Sequence, residues 1–144
     1  MTDKVQLAKE GIEAFSAGDW KRFKAPLRED AVYEELATQR RIQGADQIVE
    51  ATKGWKEAFP DAKGTITKVI ESGDSVVLEV TWEGTHNGDL VSPMGTIPAS
   101  HKRTKVQAVQ VVTFKGDKVS ETRHFFDLMT ILAQIGAVPM PATA

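Results

Sequence analysis

The sequence predicts an α+β domain in which N-terminal helices cover one face of a curved antiparallel sheet. Three observations lead there. Apolar residues recur at helical spacing as far as Phe59, the apolar period drops from about 3.6 to about 2 residues beyond Pro60, and helices precede strands rather than alternating with them. The 144 residues are read as one domain, 1–144, with 139–144 as a frayed tail.

Val5, Ala8, Ile12 and Phe15 form the apolar stripe of a first helix, with Thr2 or Asp3 as its cap and Ala17-Gly18-Asp19 as its end. Trp20 and Phe23 begin a short second helical turn that Pro26 limits. Ala31 to Glu35 is a short strand whose alternation is weakened by Glu34 and Glu35. A third helix runs from about Ala45 to Phe59, between Gly44 and Pro60-Asp61, with Ile48, Trp55, Ala58 and Phe59 turned inward. Ile66, Lys68 and Ile70 then alternate with Thr67 and Val69, and Ser72-Gly73-Asp74 turns the chain. The next strand, Ser75 to Trp82, carries Val76, Leu78, Val80 and Trp82 on one face. Gly84 to Ser100, holding Pro93 and Pro98, reads as a long irregular connection of the kind that serves function. Lys102 to Phe114 is a long strand, Lys115-Gly116-Asp117 a tight turn, and Lys118 to Phe126 the returning strand. Asp127 follows, ahead of a short apolar helix that ends at Gly136.

Eighteen basic and twenty acidic side chains leave a net charge of -2, and no block of like charge reaches five residues. Nothing there resembles a nucleic-acid footprint. The chain has no cysteine, which removes disulfides, thiol nucleophiles and thiolate metal sites, and suits a reducing compartment. The N-terminus has no apolar signal region, and no stretch approaches the roughly 20 apolar residues of a membrane span. A cytoplasmic location is therefore the expectation. No phosphate loop, dinucleotide fingerprint or serine elbow is present, so no cofactor is expected. His86, His101 and His124 are too widely spaced for a compact zinc signature, so no metal is expected either.

Strict alternation along the last strand puts Val119, Glu121, Arg123, Phe125 and Asp127 on one face, and Ser120, Thr122, His124 and Phe126 on the other. The first face combines a cation, a ring and carboxylates. There Asp127 either caps the helix beginning at Leu128 or faces a cavity, where it would exchange a proton with a carbon acid. Arg123 could hold a carboxylate or an oxyanion. On the preceding strand Gln107 and Gln110 lie on opposite faces, and either could orient a carbonyl. Trp20, Tyr33, Trp55, Phe59 and Trp82 fall in elements expected to enclose a cavity, with His86 and His101 bracketing the long connection at its mouth.

Several segments together carry a likeness to a known family. They are Ala58-Phe59-Pro60-Asp61, Gly73-Asp74 before a strand, Gly84-Thr85-His86-Asn87-Gly88-Asp89-Leu90, Pro98-Ala99, and Glu121 through Asp127 leading to Leu132-Ala133-Gln134-Ile135-Gly136. In this order they resemble the SnoaL-like branch of the nuclear-transport-factor-2-like (NTF2-like) superfamily. The resemblance implies a cone-shaped α+β barrel, a curved mixed sheet wrapped around three N-terminal helices, and a homodimer formed through the sheets. It also implies a cofactor-independent cyclase acting by intramolecular aldol condensation on a small hydrophobic carbonyl-containing molecule, with Asp127 as acid/base. The enolate would then be stabilised by Gln107, Tyr33 or Arg123. Trp20, Tyr33, Trp55, Phe59, Trp82, His86, Gln110 and Phe125 would contact substrate. Such cyclases carry a histidine on the strand before the last; here none lies between Val106 and Phe114, and His101 is either a local substitute or a loop residue. A hydrolase or isomerase of a small hydrophobic substrate, a non-catalytic ligand carrier and an interaction scaffold are the rival readings.

Overall fold

A computed structural model describes residues 3–93 and 95–139 of the chain. Thr2, one of the two cap candidates, and residues 140–144 of the expected tail lie outside the described residues. The chain opens with helix α1, Lys4–Ala17, whose N-cap Asp3 accepts from the Gln6 backbone N–H at 3.0 Å. Gly18 ends it in the left-handed conformation, φ 70°, a geometry glycine adopts without steric penalty. Asp19 then caps the short helix α2, Trp20–Lys24.

Strand β1, Leu27–Glu35, is longer than its alternation predicts. A single 3-10 turn, Leu36–Thr38, leads from it into β2, Arg40–Gln43, and then helix α3, Ala45–Ala58. Next come β3, Lys63–Ser72, and β4, Ser75–Thr85. The connection expected to be irregular contains a small hairpin, β5 Leu90–Ser92 with β6 Gly95–Ile97. Strands β7, Arg103–Lys115, and β8, Lys118–Phe126, form the long hairpin, and α4, Leu128–Gln134, follows.

The six-stranded sheet has the order β2-β1-β8-β7-β4-β3. Its neighbours are antiparallel except β1 and β8, which run parallel. The sheet is therefore mixed, as the family resemblance implied, where residue patterns alone gave a curved antiparallel sheet. A parallel pair joins segments far apart in sequence, and local alternation carries no record of it.

Two apolar clusters fill the concave side. One packs Ala8 and Ile12 of α1 against Val76, Leu78, Val80, Val112, Phe114 and Val119 of the sheet. The other gathers Phe59, Leu90, Val106, Ile131, Leu132 and Ile135. Trp82 touches both. Gly64 lets it lie there, because a Cβ at that position would come within 2.7 Å of the Ile12 side chain and 2.8 Å of Trp82 Cζ3. Among the described residues no helix is long and apolar enough to cross a membrane.

One irregularity decides which side chains enter the cone. Between β7 and β8 the pairing shifts, from Phe114 opposite Val119 to Thr113 opposite Glu121, leaving Ser120 as the extra residue. A bulge of one residue exchanges the two faces of everything beyond it. Val119 is buried, but after the bulge it is His124 that is buried while Phe125 is exposed.

Candidate active site

Helices α1 and α3 and the concave face of the sheet line a partly open cavity of about 140 Å³. Its wall is apolar for most of its extent, with Ile12, Phe15, Phe59, Val106, Val112 and Phe126 contributing. Tyr33, Trp55, Trp82, Gln110, Thr122 and His124 bring polar atoms to the same wall.

The parallel register sets Glu35 of β1 level with His124 of β8. Both are buried, Glu35 completely. Glu35 Oε1 accepts from Thr38 Oγ1 at 2.5 Å and from the Arg40 guanidinium at 2.9 Å, while Oε2 accepts from Trp55 Nε1 at 2.9 Å and Tyr33 Oη at 2.8 Å. Burial alone would raise the Glu35 pKa. The hydrogen bonds from Thr38 and Tyr33 and the charge of Arg40 outweigh it and hold the group below its ordinary value. Glu35 is therefore an ionised carboxylate under the cavity wall. The Tyr33 phenol is held well above its ordinary pKa, by burial first and by the Glu35 charge second, and stays protonated.

Tyr33 Oη also lies 2.8 Å from His124 Nδ1. The phenol has one proton, and it goes to the carboxylate, which can only accept. His124 Nδ1 must then carry a proton and donate it to the phenol oxygen. That assignment leaves Nε2 with a bare lone pair, buried and without a hydrogen-bond partner among the described residues. Burial lowers the His124 pKa from 6.5 to about 4, against the opposing charge of Glu35, so the ring is neutral at neutral pH. The result is a neutral imidazole presenting an unprotonated nitrogen, oriented from behind by a phenol and a carboxylate.

Of the residues singled out in the sequence, Tyr33, Trp55, Phe59, Trp82 and Gln110 line the cavity. The placement expected of Arg123, Phe125 and Asp127 is corrected by the bulge at Ser120, which turns their face outward. Arg123 donates to Glu34 at 2.9 Å and covers the ring of Phe125, which is 37% exposed. Asp127 is exposed and caps α4, accepting from the Met129 backbone N–H at 3.0 Å and from Thr130 Oγ1 at 2.9 Å. Gln107 is exposed on the outer face, opposite in parity to buried Val106 and Ala108. His101 is exposed at φ 61° and bonded to Asn87 at 2.9 Å.

His86 is wholly buried but lies behind Phe59 rather than in the cavity wall. Its Nδ1 accepts from the Ser100 backbone N–H at 3.1 Å, and its own backbone pairs with Lys102 and His101, so it pins the hairpin connection to the end of β4. Trp20 packs edge-on against Phe15 and Phe23, outside the cavity wall. The sequence reading missed Glu35 and set His124 on the far face. Their signals were a Tyr-x-Glu pair on one face of β1 and a histidine sharing a strand face with Phe126. Among the described residues no group of three or more His, Asp or Glu gathers in a way that could hold a metal ion.

A sequence profile described as SnoaL-like polyketide cyclase matches residues 6–135. A candidate SnoaL-like polyketide cyclase from Jannaschia sp. CCS1 superposes with TM-score 0.84 at 20% identity, over 94% of this chain and 93% of that one. AclR, a candidate hydroxylase from Streptomyces galilaeus, gives TM-score 0.82 at 22% identity over 96% and 84%. A Catenulispora acidiphila protein with a ketosteroid isomerase-like fold gives 0.77 at 19% identity over 94% and 95%. These likenesses place the chain in the NTF2-like fold. Among curated protein sequences none is a significant match.

The His124 environment has a measurable consequence. A histidine whose pKa is depressed to about 4 binds fewer protons in the native state than in the unfolded one. Its contribution is complete above about pH 6.5 and is lost as pH falls through about 4, and the depressed Glu35 acts in the same sense at lower pH. Urea unfolding at pH 7 and pH 4 should show a fall in stability, of which His124→Asn removes about 3 kcal/mol. An unchanged pH dependence in that variant contradicts the assignment.

Proposed function

The chain belongs to the SnoaL-like polyketide cyclase family, and from that premise we propose a cofactor-independent enzyme in which His124 moves a proton at the carbon alpha to a carbonyl. The observation that carries the proposal is the partnerless, unprotonated Nε2 of His124 in an apolar wall, with Tyr33 and Glu35 behind it. His124 lines the cavity, and a small turn of its ring would bring that buried, unshared lone pair to a substrate C–H. The group that fixes its tautomer also stabilises the imidazolium formed when the proton arrives, because the Nδ1–H, the phenol and the carboxylate lie in series.

The reaction begins when Nε2 removes the alpha proton and the electron pair of the C–H bond passes into the enolate. The enolate carbon then attacks a second carbonyl of the same molecule, forming one C–C bond and closing a ring. The new alkoxide takes the proton back from His124, so the enzyme returns to its starting state. Gln110 stands directly opposite His124 across the β7–β8 ladder, and its side chain has no hydrogen-bond partner among the described residues, which frees its carboxamide N–H for the attacked carbonyl. The apolar wall excludes water and holds the reacting carbons together. Where a substrate lacks the second carbonyl, the same proton transfer ends in isomerisation by return of the proton to another carbon.

The outer sheet face supports a homodimer as the assembly. Val77 lies opposite Val111 there and Phe125 opposite Val109, with Val109 and Val111 two residues apart on β7. All four are at least partly exposed in the single chain, and the inward side chains of the same strands are buried.

Two measurements test these readings. Solvent deuterium should enter the alpha position of an enolisable ketone in the presence of the enzyme. His124→Gln should abolish that exchange, Tyr33→Phe should slow it roughly tenfold, and Asp127→Asn should leave it intact. Loss of exchange in a folded Asp127→Asn protein, with exchange retained in His124→Gln, would transfer the role to Asp127. For the assembly, light scattering on the eluting protein should give twice the chain mass, and Val111→Lys should give the single chain mass. A monomeric wild type removes the dimer.

A further inference from the structure

Helix α1 carries a glycine, Gly11, on the side that faces the core. Helical spacing puts it inside the buried arc of that helix, between Ala14 on one side and Ala8 and Phe15 on the other. It is half-buried and forms part of the cavity wall. A glycine within a helix is less stable there than an alanine, so its presence calls for a reason.

The usual reasons are absent. Its φ is not positive, so the backbone does not require glycine. It sits well inside Lys4–Ala17 and caps neither end. Nor does a neighbour press against it, since a Cβ at Gly11 meets no atom within 4 Å. Gly64 is the contrasting case, where Ile12 and Trp82 would lie 2.7 and 2.8 Å from a Cβ. An inward position with nothing in front of it opens on the cavity. Leu7, Ala8, Ile12 and Phe15 around it line that same space.

The surface exposed to the cavity at Gly11 is bare helix backbone. Its N–H and C=O belong to the hydrogen-bond ladder of α1 and offer no free donor or acceptor. Leu7 and Ala8, one turn back, are apolar. A polar group pressed against this patch loses water and gains no partner, whereas an apolar group gains contact.

We infer that Gly11 is a specificity-determining position: the apolar body of the substrate packs against the α1 backbone there, and the missing side chain sets how much of that body the site takes. This rests on the small-molecule reading above and adds to it the part of the wall that recognises the unreactive end of the substrate.

Gly54 supplies the control. It too lies within a helix, α3, and its Cβ site is empty within 4 Å, but it is exposed and stands outside the cavity wall. Gly11→Ala and Gly54→Ala should each raise the melting temperature by about 2–4 °C, because alanine favours a helix at both. Binding should separate them. Acetophenone and the longer 2-acetylnaphthalene are titrated into the full-length protein by calorimetry. Gly11→Ala should weaken 2-acetylnaphthalene about fourfold, the equivalent of one methylene kept from burial. Gly11→Leu should weaken it more than tenfold, with a smaller loss for acetophenone. Gly54→Ala and Gly54→Leu should bind both ketones as the wild type does. Gly11→Ala carries the test should Gly11→Leu not fold.

Unchanged affinity in Gly11→Ala overturns the inference, as does an equal loss in Gly54→Ala or a wild type that binds neither ketone. A lowered melting temperature in Gly11→Ala also overturns it, because the added methyl would then be meeting protein. Deuterium exchange into the ketone methyl group keeps this claim apart from the catalytic one. Binding that depends on Gly11 without exchange sinks proton transfer and leaves the specificity role standing. Exchange with affinities indifferent to Gly11 does the reverse.

Discussion

Glu35 carries a full negative charge with none of its surface in water, and much of the site follows from what that charge demands. A carboxylate removed from solvent is stable only when donors surround it. Here they come from three places in the chain: Tyr33 on the same strand, Thr38 and Arg40 on the turn and strand beyond, and Trp55 from α3. Meeting that demand ties the edge of the sheet to the helix that covers it. Removing any one neutral donor leaves the buried charge under-satisfied, which costs on the order of 1–3 kcal/mol. The network also fixes the direction of each proton, and through Tyr33 it dictates which nitrogen of His124 is bare.

The β8 bulge is the second constraint, and it works through geometry alone. Without the extra residue at Ser120, Arg123 and Phe125 would face the cone and His124 would face outward. With it, the apolar interior receives the imidazole, and the Arg123–Glu34 pair lies on the outer face of the sheet. The parallel pairing of β1 with β8 completes the arrangement by bringing Glu35 level with His124. A bulge and a parallel register thus place a carboxylate, a phenol and an imidazole in line, although the residues are separated by most of the chain.

Much of the fold was legible because its signals are local. The stripe of Ala8, Ile12 and Phe15, the alternation of Val76, Leu78 and Val80, and the turn at Gly116 each specify their element from a few neighbouring residues. β2 was missed because Arg40, Arg41 and Gln43 make a polar strand at the sheet edge, with one apolar residue to mark it. The β5–β6 hairpin was missed because each of its strands spans three residues. Of the site, the aromatic wall was readable from residue type. The Glu35–Tyr33–His124 line was not, since it depends on a bulge and on a pairing between distant segments. Asp127 illustrates the same limit: residue chemistry allowed both a cap and an acid/base, and the structure shows the cap at the N-terminus of α4.

The central claim is that His124, in the cavity wall, is a neutral ring whose buried Nε2 is unprotonated. A long-range ¹H–¹⁵N spectrum of the histidine side chains, with His124 assigned by its loss in His124→Asn, reads this directly. At neutral pH the account requires the proton on Nδ1 and a bare Nε2. A proton found on Nε2, or a fully protonated imidazolium, would contradict it.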